Sequence, residues 1–203
     1  MSNTEGVILA AGYSSRTAQH KLKLRLGGDT LLEKCIAGIS KVCDRIIVVG
    51  GFGYKTIKGI VDPLEKVDLV YNEDFSSGMF TSVKCGIRRV NTDRFFLIPG
   101  DQPLVKVITY QEMLRIDADI VIPRYKGKKG HPVLLKSALI QEILAMPNNG
   151  ILRDFIHRKD SECIDVDDEG ILLDVDTWED FLHIKVYYNQ MIDIKNHATP
   201  PMD

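Results

Sequence analysis

The sequence predicts an α/β fold built on a mostly parallel sheet, and two observations predict it. Apolar runs of strand length, many of them β-branched, alternate with amphipathic segments of helical period. Glycine, proline, asparagine or aspartate closes most of the apolar runs, as strand-to-helix turns require. Each parallel pair of strands needs a crossover connection, so this alternation is the pattern a parallel sheet leaves in a sequence.

Taken in order, residues 6–10 form a first strand that ends at Ala11-Gly12. Residues 31–40 carry apolar side chains at 31, 32, 36 and 39, the spacing of one helix face. The β-branched run 45–49 is a strand that stops at Gly50-Gly51-Phe52-Gly53, and 53–61 is helical despite Gly59. Residues 67–71 are a strand closed by Asn72, and 81–90 a helix with Val83, Ile87 and Val90 on one side. The run 94–98 (RFFLI) is a buried strand closed by Pro99-Gly100-Asp101. A helix over 108–116, a strand over 119–123, a short strand over 132–135 and a helix over 137–145 follow. The pattern continues with a short helix over 151–158 and strands over 162–166 and 171–175. A helix over 178–189 has Thr177 as its N-cap. Residues 1–190 make one domain, and 191–203, with Pro200-Pro201, a tail that frays.

Composition narrows the function. The chain has 203 residues, 44% of them hydrophobic and 27% charged, enough to bury a core without disulfide or metal staples. Lys and Arg number 26 against 28 Asp and Glu, a net charge of −2. No global attraction to nucleic acid or to an anionic membrane follows, so neither is an expected partner and any anion site is local. Cys35, Cys43, Cys85 and Cys163 form no C-x-x-C pair, which excludes a zinc ribbon or thioredoxin-like motif and suits free thiols in a reducing compartment. The first residues lack the basic region of a signal peptide, and no stretch approaches the ~20 apolar residues of a membrane span. A cytoplasmic location is the expectation.

In parallel α/β sheets ligands sit outside the carboxyl ends of the strands, so the residues after each strand matter most. After the first strand, small residues and Gly12 let the backbone approach a phosphate, Ser14 and Ser15 add hydroxyls, and Arg16 and Lys21 add positive charge. The loop is neither a P-loop nor a G-x-G-x-x-G turn. The same residues also suit a polar turn with solvated charges. Asp101, closing a buried strand, is placed to hold Mg²⁺, an ion that binds through one or two carboxylates plus phosphate oxygens. Asp174 and Asp176 alternate with Val175, which puts both on one face, although they also suit a turn that caps the next helix. The basic run from Arg124 to His131 reads either as a solvated hairpin or as a hold on an anionic substrate. Ser82, near a helix start, offers a hydroxyl to a phosphate.

These segments together resemble the MobA-like nucleotidyltransferases, most of all their molybdenum cofactor cytidylyltransferase branch. The resemblance rests on Leu9-Ala10-Ala11-Gly12 with Ser14-Ser15-Arg16, then Lys21-Leu22, and on Gly27-Gly28 with Leu31-Leu32-Glu33. It runs on through Asn72, Gly78-Met79 and Ser82, and through Gly100-Asp101-Gln102-Pro103-Leu104-Val105. Pro123-Arg124-Tyr125, Gly130-His131-Pro132-Val133-Leu134 and Leu172-Leu173-Asp174-Val175-Asp176-Thr177 complete an ordered set over residues 7–181. The chain departs from the family pattern at Thr17-Ala18, usually Met-Gly, at His20, usually Pro, and at Trp178, usually Pro.

The resemblance implies a three-layer α/β/α fold of the Rossmann-like, nucleotide-diphospho-sugar transferase type. It implies nucleotidyl transfer with Mg²⁺ as cofactor, CTP and a molybdopterin-type phosphate as substrates, and a molybdenum hydroxylase as acceptor of the product. Arg16, Lys21 and Asp101 would be catalytic, and Leu9, Ala10, Ala11, Gly12, Ser14, Ser15, Gly50 and Gly100 would bind the nucleotide. Asn72, Ser82, Arg124 and His131 would bind the second substrate, and Asp101 would share the metal with Asp174 or Asp176, Asp174 slightly favoured. The choice of cytidine follows in the same way from Ala11 and Gln102. A sugar-1-phosphate nucleotidyltransferase and a non-catalytic cofactor-binding chaperone are the alternatives.

Overall fold

The computed structural model describes residues 4–12 and 20–198. In chain order the elements are β1 (Thr4–Ala10), β2 (Arg25–Leu26), β3 (Asp29–Thr30), α1 (Leu31–Ile39), β4 (Arg45–Gly50), α2 (Tyr54–Val61), β5 (Val67–Tyr71), α3 (Met79–Ile87) and β6 (Arg94–Pro99). There follow α4 (Val107–Leu114), β7 (Ile120–Tyr125), β8 (Lys128–Lys129), β9 (Val133–Lys136), α5 (Ile140–Ala145), α6 (Leu152–His157), β10 (Glu162–Asp165) and α7 (Trp178–Ala198).

The main sheet has the order β10-β7-β9-β6-β1-β4-β5, with β8 hairpinned onto β7. β1 is central and pairs in parallel with β4 and β6, β4 with β5, and β10 with β7. β9 runs antiparallel between β6 and β7, which leaves those two pointing the same way. The carboxyl ends of β1, β4, β5, β6, β7 and β10 therefore share one edge.

Strand periodicity divides the core in two. Ile8, Ile46, Val48, Phe96, Ile98, Val121 and Leu134 lie with Cys35, Ile36 and Ile39 of α1, Ile57 and Val61 of α2, and Tyr110 and Met113 of α4. Their chain neighbours Val7, Ile47, Val49, Phe95, Leu97, Ile120, Ile122 and Val133 lie with Phe80, Val83 and Ile87 of α3, Ile143 of α5, and Phe155 and Ile156 of α6. A sheet with helices on both faces is the three-layer arrangement expected, and it explains why central strands read as continuous apolar runs. Burial of each such side chain contributes about 1.5–3 kcal/mol.

Helix starts are set locally. Thr30 Oγ1 accepts from the Glu33 N–H at 3.2 Å while the Thr30 N–H donates to Glu33 Oε2 at 2.6 Å, a capping box that begins α1. Thr177 and Asp180 repeat the device at α7: the Asp180 N–H donates to Thr177 Oγ1 at 3.1 Å, and the Thr177 N–H to Asp180 Oδ2 at 2.7 Å. The expected Thr177 cap is thus present.

The structure corrects two expectations and adds one element. Residues 171–175 are not a strand: a 3-10 turn over Glu169–Leu172 runs into an extended segment without a sheet partner. Its alternation reflects burial instead, because Leu173 and Val175 enter a third cluster with Leu26, Leu31, Leu104, Phe181 and Ile184. The final helix does not stop at 189 but continues to Ala198, through the start of the segment read as a fraying tail. The β2–β3 hairpin, too short to leave a period-two pattern, was not anticipated.

Candidate active site

The carboxyl edge of the sheet gathers charge at one point. Asp101 follows β6 and is 8% exposed. Ahead of it the Gly100 N–H donates to Leu9 O at 2.9 Å, which ties this loop to β1. Lys21 sits on a 3-10 turn over Lys21–Lys23 that Leu22 anchors in the core. Its Nζ lies 2.5 Å from Asp101 Oδ2 and 3.0 Å from Asp176 Oδ1. Burial alone would lower the Lys21 pKa, but Asp101 and then Asp176 outweigh it and hold the ammonium above its ordinary value. Asp174 shows the opposite imbalance. Lost hydration, and then the charges of Asp101 and Asp176, raise its carboxyl above the usual range.

His131 belongs to the same neighbourhood. Burial is the main reason its pKa falls, the Arg153 charge adds to that, and Asp101 opposes it. The His131 N–H donates to Ile171 O at 3.0 Å, which fastens the Gly-His-Pro turn to the segment carrying Asp174 and Asp176. Gly130 makes this approach feasible, since a Cβ there would lie 2.2 Å from Ile171 O. Gly170 does the same on the other side, where a Cβ would lie 2.1 Å from Leu104 O.

Among the described residues the cluster sets one ammonium, Lys21, against the carboxylates of Asp101, Asp174 and Asp176. Carboxylates gathered in this way attract a divalent cation. Asp101 Oδ1 is buried and has no hydrogen-bond partner among the described residues, and Gln102 Oε1 beside it has none either. A hard cation such as Mg²⁺ fits these oxygen donors. Among the described residues no group of three or more His, Cys, Asp or Glu side chains could hold a metal ion. An ion at Asp101 would therefore draw further ligands from water or substrate phosphate, the usual habit of Mg²⁺.

Beside this cluster the loops after β1 and β4 abut. The Phe52 N–H donates to Ala11 O at 3.3 Å. A Cβ on Gly51 would lie 2.8 Å from the Ala11 methyl and 2.5 Å from Phe75 Cβ. His20 Nε2 donates to Phe52 O at 3.1 Å and its ring stacks on Phe52 with centroids 6.2 Å apart. The Asn72 N–H closes the row by donating to Gly50 O at 2.9 Å.

Of the residues singled out from sequence, Lys21, Asp101 and Asp176 are in contact, and Asp174 and His131 share their electrostatic field. Leu9, Ala10, Ala11, Gly12, Gly50 and Gly100 lie along the same edge. Ser14, Ser15 and Arg16 lie outside the described residues.

Three others have partners within the chain. Asn72 and Ser82 are 5% and 3% exposed, and they bond each other, Nδ2 to Oγ at 3.0 Å. Asn72 Nδ2 also donates to Thr81 Oγ1 at 2.9 Å, and its Oδ1 accepts the Asp74 N–H at 3.1 Å. They hold the loop after β5 in shape. Arg124 is engaged with Asp165, which faces it across the β7–β10 register, at 2.6 and 2.7 Å. That pair offsets the Arg124 charge, and Arg124 and Tyr125 face Lys129 and Lys128 in the β7–β8 hairpin. The sequence reading also missed Asp168, a carboxylate 1% exposed, although Asp168-Glu169-Gly170 has the spacing of an Asx-turn.

A sheet covered by helices on both faces, with small-residue loops and a lysine–carboxylate cluster on its carboxyl edge, has the Rossmann-like α/β/α fold of the nucleotide-diphospho-sugar transferase type. Crystallographic Rv0371c of Mycobacterium tuberculosis H37Rv superposes with a TM-score of 0.83 at 26% identity, over 91% of this chain and 98% of that one. The chain belongs to the MobA-like NTP transferase domain family, whose model matches residues 6–163. It is 29% identical over 192 residues to the molybdenum cofactor cytidylyltransferase of Escherichia coli K12, covering 94% of this chain and 100% of that protein. A probable molybdenum cofactor guanylyltransferase of Natranaerobius thermophilus is 26% identical over 208 residues, covering 91% of this chain and 96% of that protein. The chain is thus a nucleotidyltransferase related to both kinds of molybdenum cofactor enzyme.

Proposed function

We propose that the chain transfers the cytidylyl group of CTP to the phosphate of a molybdopterin-type substrate. A substrate phosphate oxygen forms a bond to the α-phosphorus, the bond to the β-phosphate oxygen breaks, and pyrophosphate leaves with that electron pair. The observation that carries this reading is the contact of Lys21 with Asp101 and Asp176, beside the closed Ala11–Gly51 loops.

The attacking phosphate is already anionic near neutral pH, so no strong base is needed and the work is positioning and charge neutralisation. Lys21, from its place among the carboxylates, offsets charge developing on the phosphoryl oxygens. The backbone of residues 9–12 and the loop after β4 hold the base and ribose. Asp101 and Asp174 would hold Mg²⁺, which would supply charge to screen the phosphates. Burial first, and then the charges of Asp101 and Asp176, raise the Asp174 carboxyl, and a cation shared with Asp101 would offset the second of these. Asp176, like Asp101, pairs with Lys21. His131, its charged form disfavoured by burial, orients the second substrate by hydrogen bonding. The reading extends to a molybdenum hydroxylase as acceptor of the dinucleotide product, to work in the cytoplasm, and to residues 1–190 as the catalytic domain.

The test is pyrophosphate release with CTP, GTP, ATP and UTP, each offered molybdopterin or a sugar 1-phosphate. Release with CTP and molybdopterin alone is expected. Turnover confined to a sugar phosphate would overturn the substrate. Tight pterin binding without pyrophosphate from any nucleotide would turn the reading to a cofactor carrier.

A further inference from the structure

We infer that Asp168 is a positioning residue that fixes the spacing of Asp101 and Asp174, and through it the affinity of the site for a divalent cation. The inference rests on the reading that those carboxylates hold the metal.

Asp168 belongs to no strand or helix and is 1% exposed. Its Oδ2 accepts the Lys106 N–H at 2.8 Å and the Thr109 hydroxyl at 2.7 Å, and its Oδ1 accepts the Gly170 N–H at 3.0 Å. Both oxygens are thus engaged by donors, the condition under which a buried carboxylate is tolerated. The arrangement serves two segments at once. The N-cap position of α4 is Lys106, which offers no side-chain cap of its own, so the helix takes its cap from a residue 62 positions downstream. The same carboxylate closes the turn that starts the arm carrying Asp174 and Asp176.

The chain distances make this a ruler. Lys106 is five positions beyond Asp101, and Asp168 is six positions before Asp174. The arm has no sheet ladder to set its register, since residues 173–175 pair with no strand. The Asp168 carboxylate joins it to the segment after Asp101, beside the approach of Gly170 to Leu104 O, the Lys106 Nζ contact with Asp167 O, the packing of Leu104 with Leu173 and Val175, and the Lys21 bridge between Asp101 and Asp176. Sequence-distant carboxylates that must share one ion need such a fixed support, because metal-ligating oxygens tolerate little displacement.

The experiment uses the full chain and Mn²⁺ as probe, followed by its electron paramagnetic resonance signal with and without CTP. Asp168→Asn keeps the size but turns an NH₂ group toward donors that need an acceptor. Thr109→Val removes one donor only. We expect Mn²⁺ affinity in the presence of CTP to fall at least tenfold in Asp168→Asn and about threefold in Thr109→Val. The metal concentration for half-maximal turnover should rise in step, with KM for CTP at saturating metal little changed. A merely structural role would lower the melting temperature and leave the Mn²⁺ affinity of the folded protein as in wild type, and that result overturns the inference. Should Asp168→Asn not fold, unchanged affinity in Thr109→Val does the same. A wild type that binds no Mn²⁺ overturns both the inference and its premise. Weakened Mn²⁺ binding in the variants, with a wild type that releases no pyrophosphate from any nucleotide, sustains the positioning role and sinks the proposed reaction alone.

Discussion

The two halves of the acidic cluster are held by different physics. Asp101 leaves β6, a strand hydrogen-bonded on both sides and buried among Phe95, Phe96, Leu97 and Ile98. Asp174 and Asp176 ride on an arm outside the sheet, fastened by a buried carboxylate, by glycine approaches on two sides and by Leu173 and Val175 as plugs. A ladder distributes its support over many bonds. An arm depends on a few, so its placement is more easily changed by one substitution and more easily tuned.

Breaking the sheet-borne half should give the largest effect. Asp101→Ala removes one partner of Lys21 and the buried Oδ1, and transfer is expected to fall to background. The fold should persist, because the strand beneath is supported independently of this side chain. Turnover near wild type with Mg²⁺ would remove Asp101 from the reaction. Lys21→Ala comes next. Loss of a charge-assisted contact corresponds to about 1.5–3 kcal/mol, or roughly 10–150-fold in kcat/KM for CTP. Unchanged kinetics at every CTP concentration would show that the ammonium serves only the folded state.

A matched pair of glycine substitutions sharpens the comparison. Gly130→Ala drives a Cβ to 2.2 Å from Ile171 O, a backbone atom that cannot swing aside. Gly100→Ala, on the sheet-borne half, meets Ile8, Leu32 and Leu9 O at 3.3 Å, a tight but adjustable fit. Overpacking of the first kind costs about 1–3 kcal/mol, and it must be relieved by moving the arm. Gly130→Ala should therefore lower both the melting temperature and metal-dependent turnover, and Gly100→Ala should do less of each. Equal effects would mean that the arm is no more vulnerable than the sheet.

The same contrast explains what could be read from the sequence. Strands such as 94–98, and the aspartate that ends them, announce themselves by apolar runs closed by turn residues, so the Asp101 half was legible. The alternation of Leu173, Asp174, Val175 and Asp176 was legible too, but it reports only which side chains are buried. Burial against α7 and Leu104 leaves the same period as pairing in a sheet, hence the false strand. The partners of Arg124 and Asn72 were illegible for a related reason. The sequence shows a cation and an amide at a strand end, whereas their partners, Asp165 across a strand register and Ser82 one turn into a helix, are fixed only by tertiary structure.

The smallest predicted effect concerns the choice of base. Ala11 is 3% exposed, and its methyl is packed toward Gly51, so it does not border an open pocket directly. Its influence on a nucleobase must therefore pass through the gap between the loops after β1 and β4. Those loops are already linked by the Phe52 N–H to Ala11 O bond and by His20 on Phe52. With such links in place, deleting one methyl widens the gap only as far as the loops can part. Direct loss of a methyl from a pocket wall is worth about 1–3 kcal/mol, or roughly 10–200-fold in discrimination. An indirect loss belongs at the lower end, so Ala11→Gly should reduce the CTP preference over GTP by about tenfold without inverting it. The measurement is the ratio of kcat/KM for the two nucleotides in wild type and variant. A full inversion would place the methyl against the base itself. A wild type that uses GTP as readily as CTP would remove the cytidylyl assignment and move the chain to the guanylyl side of its family.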